Sequence, residues 1–262
     1  MARWKYFYLI RIEFLGFRYH GWQKQEGLRS INGMIDKTLL FILKHEDFRT
    51  LGCGRTDAKV SAMDYAFELF LMEPIIPEQL LKRININLPS DIRAKSIVSV
   101  DEKFNIIQHA KRKEYHYYFS FGDKSHPFTA PLVRDFGPKL DLEAMVLAAK
   151  VFEGTHQFKR YVSKAAPDTQ FTRTIIQSEI VKNTFFSASF LPEDTYVYKV
   201  IGMGFMRYQI RLMMGALADV GRGVLSIEDL QNSLLDTDSP PMRHVAPSSG
   251  LVLHKIDFEG LT

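Results

Sequence analysis

The sequence predicts an α+β protein built from two α/β halves with mainly antiparallel sheets. Three observations predict it. Apolar, strand-like runs alternate with helical patterns along the chain, both halves carry the same kinds of element, and the second half holds consecutive strand-like runs that read as a meander. With 262 residues, 46% of them hydrophobic, there is enough apolar material for a substantial core in one large or two small domains. We place the boundary between residues 1–107 and 108–262.

In the first half, "KYFYLIRIEF" (5–14) is rich in strand formers, with Arg11 and Glu13 polar on one face. Ile31, Met34, Ile35, Thr38, Leu39 and Ile42 fall at helical spacing, and Ser30 precedes them as an N-cap. "FRTLGC" (48–53) is a short strand. "MDYAFELFLM" (63–72) places Met63, Tyr65, Phe67, Leu69 and Leu71 on one face. Pro77 opens a helix bearing Leu80, Leu81 and Ile84, which "NLP" (87–89) ends. "IRAKSIVSV" (92–100) is a further strand.

In the second half, "EYHYYFSF" (114–121) reads as a strand and 122–131 as a loop. Asp141 caps a helix that runs through Phe152 and stops at Gly154. "FTRTIIQSEIVKN", "FFSASFL" and "TYVYKVIG" form the three-strand meander. A helix is expected from about Phe205 to Val220, ending at Gly221. Ser226 and Asp229 open another in a capping-box pattern, and 249–258 closes as a strand.

Composition narrows the functional classes. The net charge of +4 and pI near 9.0 make an anionic partner such as nucleic acid more plausible than for a neutral chain. A single cysteine, Cys53, excludes a disulfide framework and argues against a Cys-based zinc site. It reads as a small buried residue, and His20 as a loop contact. The opening residues lack a signal-peptide core, and no run approaches about 18 apolar residues, so a cytoplasmic protein without a membrane span is expected. There is no Walker A loop, no dinucleotide fingerprint, no His-Glu-x-x-His and no deaminase zinc signature.

Three local features carry chemistry. In "LGCGRTDAKVSA" (51–62), Gly52 and Gly54 permit tight turns, and Arg55 and Asp57 lie two residues apart. This is either a turn capped by Thr56 and Asp57 or a carboxylate held for chemistry by nearby cations. In "KRKEYHYYF" (111–119), Lys111, Arg112 and Lys113 run into a strand with Tyr115 and Tyr117 on one face and His116 and Tyr118 on the other. The cations suit phosphates and an exposed aromatic suits a base, while cross-strand packing is the ordinary alternative. In "GFMRYQIRLMMGALADVGRG" (204–223), Met206, Ile210, Met213, Leu217 and Val220 form an apolar stripe, with Arg207 and Arg211 four apart on the other face. Either that face is solvated or the arginines meet an acid or a phosphate.

Together the three pieces resemble the bacterial tRNA pseudouridine synthase A family. "GRTDAKVSA" is similar to its Gly-Arg-Thr-Asp-Ala-Gly-Val-His-Ala signature, and "EFLGFRYHGWQKQ" to its Tyr-x-Gly-x-x-Tyr-x-Gly-Trp-Gln opening. "INLPSDI", "KEYHYYF", "FTRTI", "GFMRYQIRLMMGAL" and "APSSGLVL" resemble further family segments in the same order, so the likeness spans nearly the whole chain. It implies the pseudouridine synthase fold, two α/β halves joined across a basic RNA-binding cleft, usually in a homodimer. It implies isomerisation of uridine to pseudouridine in the anticodon arm of tRNA, with no cofactor and no metal. By the same resemblance Asp57 is the catalytic aspartate, Arg211 its arginine partner and Tyr115 the active-site tyrosine, while Arg55 helps extrude the base.

Four positions depart from the pattern. Lys59 and Ser61 stand where the family has glycine and histidine, Ile107 replaces an arginine, and Leu212 an asparagine. Arg207 or the 111–113 cluster could replace the cation lost at 107. If the family glycine has positive φ, Lys59 is strained. These departures leave a second expectation open: a non-catalytic or retargeted RNA-binding paralogue. A nucleoside hydrolase is a third, disfavoured because Asp57 has no acidic partner near it in sequence.

Overall fold

The computed structural model describes residues 4–260. Of these, the residues up to Lys111 and those from Leu253 onward form one compact unit, and Arg112–Val252 form another. The expected division at 107/108 lies four residues from the first crossing. The return of the last strand to the first unit has no counterpart in that expectation.

The first unit contains β1 (Tyr6–Phe14), α1 (Ile31–Leu43), β2 (Phe48–Gly52), β3 (Ser61–Leu71), α2 (Pro77–Asn87) and β4 (Ile92–Val100). β3 is central and antiparallel to both β1 (Ile10↔Phe67) and β2 (Thr50↔Leu69), and β4 adds to β1 (Leu9↔Val98). The alternation anticipated for β3 holds: Tyr65, Phe67, Leu69 and Leu71 are all buried. Ile31, Ile35, Leu39 and Ile42 form the buried side of α1. Ser30 caps that helix by accepting from Gly33 N at 3.2 Å, a contact worth about 1 kcal/mol. Trp22 stacks on Tyr65 at 4.3 Å between ring centres, tying the segment before α1 to β3.

The second unit takes up β5 (Ala110–Ser120), whose first two residues belong to the first unit, then β6 (Arg134–Asp135), α3 (Leu142–Ala149), β7 (Gly154–Gln157), β8 (Thr172–Lys182), β9 (Thr195–Gly202), α4 (Gln209–Gly221) and α5 (Ile227–Leu235); β10 (Leu251–Phe258) starts in it and continues from Leu253 in the first unit. Its sheet runs β5-β9-β8-β7 with antiparallel neighbours, and β6 lies parallel to the end of β5. α4 is almost wholly buried, which its small residues Gly215, Ala216 and Ala218 allow. Asp141 caps α3 and Ser226 with Asp229 closes a capping box on α5, both as expected. In the first unit, β10 runs beside β3, where Asp64 accepts from Ile256 N at 3.3 Å and from Arg11 at 2.6 Å.

Two sequence expectations are corrected. "FFSASFL" is not a strand. Asn183 Oδ1 accepts from the amides of Phe185 and Phe186, bending the chain out of the sheet, and Phe186 packs on Tyr118 at 4.8 Å. β8 and β9 therefore pair directly. The helix expected from Phe205 begins only at Gln209, because Tyr208 is left-handed (φ 65°) and cannot continue a helix backwards.

Candidate active site

The Asp57 loop leaves β2 and enters β3, both pinned near it. Cys53 N donates to Ala66 O at 3.1 Å, and the Tyr65 hydroxyl donates to Gly54 O at 2.5 Å. The loop closes through its backbone: Val60 N donates to Asp57 O at 3.3 Å, a turn whose third residue is Lys59. Thr56 Oγ1 is buried with no hydrogen-bond partner among the described residues, so its hydroxyl is not what caps the turn. Arg55 is exposed and Asp57 half-buried.

The opening motif grips this loop. A Cβ on Gly16 would overlap the Val60 carbonyl, and one on Gly21 (φ 85°) would overlap that of Thr56. The Gly16 amide donates to Ser61 Oγ at 2.9 Å, and Lys59 N donates to Tyr19 O at 2.9 Å. Glycines 45 and 35 residues away from their contacts thus determine where Asp57 sits. The two glycines of "GFRYHG" (16–21) are the sequence signal for this role.

Lys59 has φ 68°, as anticipated if glycine were the suited residue there. Its ammonium lies 5.5 Å from the Phe17 ring centre, a cation–π contact that offsets part of the strain.

In the second unit, Tyr115 meets Phe205 edge-to-face at 5.3 Å. Strand alternation puts Lys111 and Lys113 on the Tyr115 face, and Arg112 with Glu114 and His116 on the other. The cluster is therefore split between two faces. Lys111 pairs with Glu259 at 2.9 Å on an exposed surface.

Arg211 stands in the first turn of α4. Its Nε donates to Ala246 O at 2.8 Å, while Ala246 N donates back to Arg211 O at 3.0 Å. One turn on, a Cβ on Gly215 would overlap the His244 carbonyl, so α4 and the 244–247 segment lie in direct contact. Tyr117 donates to Pro247 O at 2.7 Å, and a Cβ on Gly250 would crowd Tyr118 O (2.7 Å) and the Tyr117 ring (2.9 Å). The "APSSG" segment is thus the strap that fixes Arg211 and the tyrosine strand. Arg207 does not share a helix face with Arg211, because it precedes the helix. Both guanidiniums instead lie against the Tyr208 ring, at 5.1 and 4.5 Å. The sequence sets Tyr208 beside Arg207 and Arg211, and its left-handed backbone sets the ring against both.

A family model described as tRNA pseudouridine synthase matches residues 148–259. The tRNA pseudouridine synthase A of Dictyoglomus thermophilum is 30% identical over 262 residues, covering 98% of this chain and 100% of the relative. That of Aquifex aeolicus is 31% identical over 249 residues, covering 95% and 98%. The chain belongs to the tRNA pseudouridine synthase A family.

Set in that family, the departures have local answers. Ser61 stands where this family's signature has histidine and uses its hydroxyl to hold Gly16. Leu212 is buried rather than facing a ligand, and Ile107 is 58% exposed on the segment before β5. Among the described residues no helix is long and apolar enough to cross a membrane.

Proposed function

We propose that this chain is an isomerase that converts uridine to pseudouridine in the anticodon arm of tRNA, in the cytoplasm, as a homodimer and without cofactor or metal. Full-length likeness to relatives named tRNA pseudouridine synthase A carries the reading. The Arg55-Thr56-Asp57 sequence, Tyr115 and Arg211 are all present.

The reaction breaks the bond from C1′ to N1 of uracil and forms one from C1′ to C5. The C5 proton leaves and N1 regains one, so atoms balance without an oxidant or reductant. Asp57 serves as the carboxylate, as nucleophile or as base toward the sugar. The loop's fixation by Gly16, Gly21 and Tyr65 keeps that carboxylate in one place before substrate arrives. Tyr115 supplies an aromatic face for the target base. Arg211, locked by Ala246 and Tyr208, supplies a fixed positive charge. Arg55, exposed at the loop tip, assists extrusion of the base, which costs a few kcal/mol and is offset by phosphate contacts from Lys111, Arg112, Lys113 and Arg207.

The test uses unmodified tRNA tritiated at uridine C5. Wild type is expected to release tritium, and Asp57→Ala to release none while still binding tRNA. Binding without release by wild type would favour the non-catalytic paralogue, and free uracil would indicate a hydrolase.

A further inference from the structure

Within the second unit, β6 and the turns on either side of it frame an open depression of about 510 Å³, lined by Gly122, Lys124, Arg134, Phe136, Gly137 and Arg222 among others. Two turns form its rim. Gly122 (φ 102°) and Gly137 (φ 92°) are left-handed, and the Gly122 amide donates to Gly137 O at 2.9 Å. Asp135, also in the lining, is occupied by the same turns: its two oxygens accept from Gly137 N at 2.8 Å and Ser125 N at 3.1 Å. Three cations and this already bonded carboxylate line the depression.

The cations differ in how they are held. Arg222 closes α4. It donates to Phe136 O at 3.2 Å, lies 5.6 Å from the Phe136 ring centre and meets Asp219 at 3.5 Å. Lys124 and Arg134 are exposed and make no ion pair among the described residues. Two exposed cations without an ion-pair partner thus lie beside a fixed third, and a phosphate group, whose oxygens can bond two cations at once, suits that arrangement.

The depression also lies along the strand that carries Tyr115. Arg134 sits beside Phe119 in the β5–β6 register, four residues from Tyr115 and so about 13 Å along the strand. Burial raises the pKa of the Tyr117 hydroxyl on that strand, and the charges of Arg134 and Arg211 offset part of the rise.

We propose that this depression is a second anion site, which holds a backbone phosphate of the RNA a few nucleotides from the target uridine. Its volume admits a phosphodiester with flanking riboses. The RNA assignment rests on the function proposed above; the anion site itself does not.

The test is the variant Lys124→Gln/Arg134→Gln, which leaves Arg222 and its structural contacts intact. For unmodified tRNA, the slope of log affinity against log salt should fall by about 1 to 2, with affinity down about tenfold or more at low salt. Lys182→Gln removes an exposed cation already paired with Asp194 and should keep the wild-type slope. Separately, ¹⁵N-glycine protein titrated with inorganic phosphate should show saturable shifts at Gly122 and Gly137 in wild type and none in the double variant. Shifts in a wild type that neither binds tRNA nor releases tritium would uphold the anion site while overturning the RNA assignment. Wild-type tRNA slope and affinity in the double variant, or no phosphate shifts in wild type, would overturn the proposal.

Discussion

Glu68 should make the first unit lose stability as pH rises toward neutrality. It lies on β3 between Leu9 of β1 and Leu51 of β2, 1% exposed, with neither oxygen hydrogen-bonded among the described residues. Burial pushes its carboxyl from the usual 4.5 up to about 7. The Ile106 backbone and the Arg49 charge offset only part of that rise. Between these values the folded chain keeps a proton that the unfolded chain has released, so stability is full below about 4.5, falls through this window and levels off above about 7. The difference of roughly 2.5 in pKa corresponds to a ceiling of about 3 kcal/mol. Glu68→Gln mimics the protonated form. It should match wild type near pH 4.5 and exceed it above pH 8, by about 5–10 °C in Tm. Tryptophan fluorescence is the right assay, because both tryptophans, Trp4 and Trp22, lie in the first unit. Parallel Tm–pH curves for the two proteins would refute the argument, since they would mean that Glu68 titrates alike in the folded and unfolded chains.

Three further outcomes are expected. Lys59→Gly should stabilise the Asp57 turn by about 1 kcal/mol, the left-handed strain outweighing the lost contact with Phe17, as read from denaturant midpoints. Gly16→Ala should cost about 1–3 kcal/mol, because its methyl meets backbone at Val60 rather than a yielding side chain; tritium release should fall with it. Gly215→Ala should push the 244–247 strap off α4 and loosen Arg211, lowering kcat more than tRNA affinity in single-turnover and binding assays.

Much of this protein was legible in local pattern. Caps, periodicity and alternation gave α1, α2, β1, β3 and the α5 capping box, because each depends on residues a few positions apart. The Arg55-Thr56-Asp57 signature, Tyr115 and Arg211 stood out as ordered motifs. "FFSASFL" misled because its aromatics have strand propensity while one side chain, Asn183, redirects the backbone. The α4 start misled because the left-handed turn at Tyr208 is compatible with an uninterrupted helical pattern.

The sequence by itself determined the α+β class, the family and the chemistry-bearing residue types, since these follow from composition, period and motif order. Only the tertiary structure decided what holds those residues. Gly16 and Gly21 press on the Asp57 loop, the Ala246 carbonyl holds Arg211, and Glu68 is buried with no hydrogen-bond partner among the described residues. Each is a contact between positions far apart in the chain, where the excluded volume of a single Cβ or the desolvation of one charge sets the outcome, and no local pattern records either.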